Sequence, residues 1–378
     1  MRSSNLPHQP RLDHIRCLAA GLVFAFHLVH LFYLHWQPAA DKPWFGLISE
    51  GHTGVGLFFT LSGFLFMQIG LHHERIDYGD FIRNRFLRIF PLFVTVFVLA
   101  ISISRDNFNP QDVLYLFFSN LGRAPTSNTF ITGAAWTISL EFSFYLVFPF
   151  LSRFVREHGA GFLLRLLALM LLFKVGAWLV TERSTHMFYS TLVGRFDQFL
   201  IGMLAAVLFA RHRARLARLG MPLLAAAVLL VVLNSALQAR YASYFLPVPR
   251  QAYWIFWSML EAGAWALLIT AWQVAPVRMP ARLDRLLCRG GEISFSFYLL
   301  HGMVLYIAHQ VLGPVVLTGR VMVDSLLIGV PLYFLCWQVA ALSYEAIEKP
   351  FLGLRRRYGE RLPHTQQFQA PKDTAEVS

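Results

Sequence analysis

The sequence predicts an all-α membrane protein of about ten transmembrane helices, with both termini in the cytoplasm. Three observations carry that prediction: a composition poor in charge, apolar runs of membrane-spanning length, and positive charge that alternates from loop to loop. The 378 residues are 56% hydrophobic and only 14% charged, with a mean hydropathy of +0.50. An average soluble chain carries about 25% charged residues. So little charge cannot solvate a globular surface of this size, which excludes an ordinary soluble enzyme and a disordered chain alike.

The elements follow in order from runs without Asp, Glu, Lys or Arg. A helix at about 14–36 takes the run 17–36, near the ~20 residues that cross a ~30 Å hydrocarbon layer. That run is too long for a signal-peptide core, and no small-residue cleavage site follows it. Helices at 52–72 and 89–105 take the runs 51–73 and 89–104. The helix at 137–155 surrounds the run 142–152, and those at 162–181 and 190–210 are interrupted only by Lys174 and by Arg195 with Asp197. Helices at 219–237, 252–275, 293–313 and 322–345 rest on the runs 219–239, 251–260, 293–319 and 325–344. Residues 1–350 then form one transmembrane domain and 351–378 a basic, disordered cytoplasmic tail. The longest segment outside the membrane, 106–136, is too short for a soluble ligand domain, which counts against a receptor.

Short cytoplasmic loops carry the excess of Lys and Arg. Of the 33 such residues, 24 fall in alternate segments that include both termini, and seven fall in the opposite set. This accounts for the net charge of +12 without nucleic acid; clusters such as 211–215 face anionic lipid headgroups. Cys17, Cys288 and Cys336 are odd in number and two lie in or beside spans, so no disulfide framework follows. No metal-ligand spacing involves them, and no metal is expected.

Charged or strongly polar groups within spans are candidate sites because burying them is expensive. They are His27, Glu141, Lys174, Arg195, Asp197, Glu261 and His301, with Asp13 and Arg16 at the mouth of the first helix. Arg16 and His27 are eleven residues apart, three turns plus about 20°, so they share one face and are separated by about 16 Å of rise. Imidazole suits general-base work, although a lone buried histidine is more often structural. Asp13 and Arg16, three apart, can pair. Arg83, Arg85 and Arg88 open the third helix; Arg85 and Arg88 at i and i+3 are placed to hold a phosphate, the plain alternative being retention on the positive side. Gly54, Gly56 and Gly63 read as packing positions. Glu141 is placed one turn inside the outer face, to pair with Arg195, His27 or substrate. Arg195 and Asp197 read as an ion pair lining the substrate cavity, and His301, Glu261 and Lys174 as packing or interface groups, with Lys174 free to snorkel.

The segments RCLAAGLVFAFH, GVGLFFTLSGFL, RFLRIFP, WTISLEFSFY, RFDQFLIG, SFSFYLLH and YEAIEKPF, in that order over about 16–351, resemble the acyltransferase-3 family of multi-pass membrane O-acyltransferases. The resemblance implies transfer of an acyl group, commonly acetyl from acetyl-CoA, to a sugar hydroxyl. It implies acetyl-CoA as a donor substrate, with no permanently bound cofactor. The family's catalytic pattern falls on Arg16 and His27, its donor-binding arginine pair on Arg85 and Arg88, and its acidic residue on Glu141. Phe142 stands where a second acid is common, and Thr137 and Ile138 replace the usual Ser and Leu, leaving the carboxylate role to Glu141 alone. His27 is then a base or transient acyl carrier, and Glu141 orients it or the acceptor.

The compact form resembles the branch that acetylates exopolysaccharide repeat units, which implies a polysaccharide or lipid-linked oligosaccharide acceptor in a bacterial inner membrane; O-antigen, lipo-oligosaccharide or a small glycosylated acceptor is the alternative. A glycan or lipid transporter would also have ten helices and intramembrane polar groups, but no internal repeat of the kind such folds carry is visible.

Overall fold

The computed structural model describes residues 5–39, 42–103, 135–246, 248 and 250–358. Among them there is no strand, and nine helices are long and apolar enough to cross a membrane. The long helices are α1 (Pro10–Val29), α2 (Thr53–His72), α3 (Tyr78–Ile103), α4 (Ala135–His158), α5 (Ala160–Val180), α6 (Leu192–Arg218), α7 (Gly220–Tyr241), α8 (Tyr253–Val274), α9 (Ala281–Glu292), α10 (Ser294–Leu312) and α11 (Val321–Ser343). Ten of these eleven correspond to the predicted spans. The chain is an all-α multi-pass membrane protein. The loop predicted at 106–136 falls outside the described residues up to 134, as do Arg2, Arg105, Arg123 and the tail beyond 358.

Burial separates a hub from a ring. The apolar windows of α2 and α8 are 78% and 72% buried, whereas those of α5, α7 and the last span are 17%, 22% and 22% buried; the ring helices present leucines and valines to lipid. Small residues let the hub close. A Cβ on Gly63 would overlap the carbonyl of Phe199, and one on Gly202 that of Thr60, so α2 and α6 touch backbone to backbone, the close approach expected of small residues in membrane helices. Aromatic rings of Phe66, Phe144, Phe148 and Phe199 fill the space beside that seam.

Three features depart from the predicted elements. The first span does not remain α-helical: a π-turn at His30–Leu34 follows α1, and His35 and Trp36 then take left-handed backbone angles, φ 49° and 62°, rare for residues with a Cβ. α9 has no counterpart among the predicted spans. It is too short to cross a membrane, and its exposed Arg282 and Arg285 contrast with buried Gly290 and Gly291, the latter pressed against Asp13 of α1. The predicted tail begins at 351, yet residues up to 358 are tied to the bundle. Asn84 holds Arg356 through both its amide atoms (2.7 and 2.9 Å), Asn5 accepts from the Tyr358 amide (3.0 Å), and Tyr358 is buried against Phe81.

Arg11 caps α8. Its guanidinium donates to the carbonyls of Trp272, Ala275 and Val277 at 2.6, 2.7 and 3.1 Å, satisfying acceptors that a helix C-terminus leaves open. The N-terminal turn of α1 is thereby fixed to the same arginine-rich end as α9.

Candidate active site

α1 is unbroken from Pro10 to Val29, so Arg16 and His27 do lie on one helix, three turns apart. Arg16 is half-buried and pairs with Asp13 at 2.5 Å. It lines two cavities that meet at its side chain. The larger, about 1610 Å³, opens at the arginine-rich end and is bordered by Arg16, Arg85, Arg88, Arg285, Arg289 and Arg355, opposed by Asp13 and Glu292. The smaller, about 800 Å³, continues inward past Arg85 and Arg88 to Ser62, Glu141, Tyr145, Thr137 and Tyr298. Arg16, Arg85, Arg88, Leu65 and Phe66 belong to both, so the two cavities adjoin at the arginine pair.

Six guanidinium groups face Asp13 and Glu292 across the lining, with Glu348 and Glu345 paired to Arg88 and Arg289, so the mouth stays cationic. Burial, followed by the charges of Arg85 and Arg88, pushes Arg355 down to about 10. An anion with several negative charges relieves that crowding. Arg85 is held in place by an aromatic cage, its Cζ lying 5.0, 5.5 and 5.8 Å from the rings of Phe66, Phe81 and Tyr145, and it donates to the Tyr358 hydroxyl at 2.7 Å. Arg88 pairs with Glu348 at 3.1 Å, a carboxylate 1% exposed that also accepts from Ser296. Glu348 and Tyr358 are positioning groups that the sequence alone does not single out.

Glu141 accepts from Ser62 at 3.2 Å, within the smaller cavity and beside Tyr145 and the charges of Arg85 and Arg88, so the expected pairing with Arg195 or His27 is replaced by contacts to α2 and α3. Thr137, in the first turn of α4, bonds Tyr298 at 2.9 Å.

His27 instead meets His301. His27 Nδ1 is 2.9 Å from the carbonyl of Val23 and 3.1 Å from Nε2 of His301, and His301 Nδ1 is 2.7 Å from the carbonyl of Tyr298 and 3.1 Å from that of Phe297. A carbonyl can only accept, so both Nδ1 atoms carry the proton. In the neutral rings both Nε2 atoms then carry the lone pair. Tyr298, which lines the smaller cavity, lies one turn before His301, with ring centroids 6.0 Å apart. Neither histidine lines the two cavities; Tyr298 is the lining residue beside His301. His301 is thus a partner of His27 and more than the packing group its sequence position suggests; its place in the segment SFSFYLLH was the signal available.

Arg195 and Asp197 do not pair with each other, and neither borders the two cavities. Asp197 pairs with Lys174 at 2.5 Å and accepts from Ser258 at 2.7 Å. Arg195 pairs with Glu261 at 3.4 Å, donates to the carbonyl of Tyr189 at 2.7 Å, and lies over Trp257 at 4.4 Å. All four charged groups are at most 1% exposed. Lys174 does not snorkel; it points inward, completing its bonds on Ser258 and the Gly194 carbonyl.

Among the described residues there is one grouping of possible metal ligands. His14 Nε2 lies 3.2 Å from Asp284 and 3.5 Å from Cys288 Sγ, contacts that ordinary hydrogen bonding explains; sequence spacing could not reveal it because His14 sits on another helix.

Residues 9–342 match the family described as Acyltransferase domain. An acyltransferase, MdmB, of Streptomyces mycarofaciens is 26% identical over 396 aligned residues, covering 97% of each chain. Nodulation protein 10 of Rhizobium leguminosarum bv. viciae is 27% identical over 54% of this chain and 61% of its own, and an O-acetyl transferase of Shigella phage Sf6 is 27% identical over 47% and 55%. No solved structure matches. The chain belongs to the acyltransferase-3 family and is a membrane O-acyltransferase.

Proposed function

We propose that this acyltransferase takes acetyl from acetyl-CoA, entering on the arginine-rich cytoplasmic side, and passes it to a sugar hydroxyl of an exported polysaccharide or of its lipid-linked precursor. The observation that carries the reading is the pair of cavities that adjoin at Arg85 and Arg88, one lined by six arginines and the other reaching Tyr298, whose ring lies beside His301. The phosphates of the donor suit the mouth, since guanidinium groups bind phosphate in bidentate fashion. The narrower cavity suits an extended thioester arm, with Glu141 and Ser62 offering polar contacts along it. The name of the phage relative, an O-acetyl transferase, favours acetyl as the group moved. A bacterial inner membrane fits the positive-inside distribution and the bacterial relatives.

In this reading His27 is the general base. Its Nε2 accepts the proton of the acceptor hydroxyl as that oxygen bonds to the thioester carbonyl carbon. Collapse of the adduct breaks the carbon–sulfur bond, and the proton passes from His27 to the departing thiolate. Holding donor and acceptor in line contributes several kcal/mol toward the barrier, about 7–11 in favourable intramolecular cases. Arg16 and Glu141 act on the donor rather than on His27. Acceptors of O-antigen or lipo-oligosaccharide type obey the same chemistry.

The test compares proton NMR of glycan from cells with the protein, without it, and with His27→Ala. The proposal requires that O-acetyl signals vanish in both altered strains while polymer is still made and exported. Unchanged acetylation with glycan retained inside the cell would instead indicate a transporter.

A further inference from the structure

A general base must be held in its working orientation, and the His301 ring meets His27 through nitrogen. We infer that His301 is a positioning residue that holds the orientation of His27 and stabilises its Nδ1–H, an inference that rests on the acyl-transfer reading. His301 is 3% exposed, and its own Nδ1–H is committed to the carbonyls of Tyr298 and Phe297 at 2.7 and 3.1 Å. That commitment leaves Nε2 as an acceptor, aimed at His27 Nδ1 from 3.1 Å. The Val23 carbonyl, 2.9 Å from the same nitrogen, is the second acceptor. Two acceptors on one N–H keep the proton on Nδ1 and the lone pair on Nε2, the nitrogen that the reaction uses.

The arrangement has the logic of a base oriented by a third group, with a neutral imidazole where a carboxylate is more usual. The ring planes of His27 and His301 lie 56° apart with centroids at 5.0 Å, so the contact is edge-on through nitrogen and does not stack. When His27 takes the hydroxyl proton it becomes a cation, and the His301 lone pair stabilises its Nδ1–H without itself gaining or losing a proton. Two carboxylates of the bundle are engaged elsewhere: Glu141 is turned to Ser62, and Glu50 bonds His52 at 3.0 Å. The Tyr298 ring lies beside His301 and lines the smaller cavity.

The test uses the purified full-length protein with radiolabelled acetyl-CoA and glycan isolated from cells lacking it. His301→Leu removes the acceptor, while His301→Gln places an amide oxygen near the position of Nε2. Expected are a fall in kcat of about 100-fold or more for His301→Leu, the scale of general-base effects, with KM for acetyl-CoA unchanged, and recovery to within about tenfold for His301→Gln, the loss of one ordinary hydrogen bond. In ¹⁵N-histidine spectra the His27 Nδ1–H resonance is alike in the wild type and in His301→Gln, and moves in His301→Leu, where the Val23 carbonyl remains as its acceptor. Full kcat in His301→Leu overturns the inference, as does a folded His301→Gln no more active than the leucine variant, or a His27 Nδ1–H resonance that is the same in all three. An active His27→Ala defeats the underlying reaction; an inactive His27→Ala beside an active His301→Leu defeats only the positioning role.

Discussion

Arg195, Glu261, Lys174 and Asp197 are each at most 1% exposed and meet one another's helices, aromatic rings and backbone carbonyls, whereas Arg16, Arg85 and Arg88 are half-buried and border open volume. In the linear chain both groups look alike, as charges inside or beside apolar spans. What separates them is whether the folded neighbours leave space at the charged end. The first group joins α5, α6 and α8 as a staple. The second leaves guanidinium groups facing a cavity, while Asp13, Glu348 and the Tyr358 hydroxyl draw on them from its walls. A charge in a membrane span becomes a binding element when its compensation is incomplete and the missing part can be supplied by a ligand.

The most severe way to break this comparison is to unpair the staple. Asp197→Ala leaves Lys174 buried without its carboxylate, and removing one partner of a buried pair costs about 3–5 kcal/mol; thermal unfolding in detergent should show that loss. The double replacement Lys174→Met with Asp197→Leu should recover most of it, because two apolar groups leave no uncompensated charge. If Asp197→Ala unfolds like the wild type and yet loses donor binding, the buried group belongs to the site and the distinction fails.

A gentler probe sits at the cavity mouth. Cys288 borders the larger cavity, and burial, helped by Asp284 and Asp13, pushes its thiol up to about 11. Raised in this way, the thiol is almost wholly protonated at neutral pH and the thiolate grows in as pH approaches that value. Maleimide labelling at Cys288 should therefore be slow at pH 7, rise about tenfold per pH unit toward pH 9 with the thiolate fraction, and be slowed by coenzyme A at every pH. Cys17 and Cys336 are buried and should stay unlabelled. Labelling that ignores coenzyme A would place the donor elsewhere.

Much of this is legible before folding. Charge-free runs place the spans, the eleven-residue interval puts Arg16 and His27 on one face, and the RFLRIFP segment marks the arginine pair. The partners of Glu141 and Thr137 are not legible, because Ser62 and Tyr298 come from other helices, and no property of α4 alone encodes them. The same holds for His27 and His301, which are brought together by the packing of α1 on α10, and for Lys174, whose carboxylate comes from a different helix. The short helix α9 carries its own signal, leucines and arginines at helical spacing in RLDRLL, but it is too short to appear as a span. Tyr358 lies in a segment whose basic character suggests a tail, while its two asparagine clips are distant in sequence.

The central claim is that the arginine-lined cavities hold the donor, and binding of coenzyme A to the purified protein tests it most directly. Calorimetry on the wild type, on Arg85→Ala with Arg88→Ala, and on Lys174→Met with Asp197→Leu separates the two groups of charges. The account predicts that the arginine double variant binds at least about tenfold more weakly, charged hydrogen bonds contributing about 1.5–3 kcal/mol each, while the staple double variant binds as the wild type does. Equal binding by the wild type and the arginine variant would contradict it.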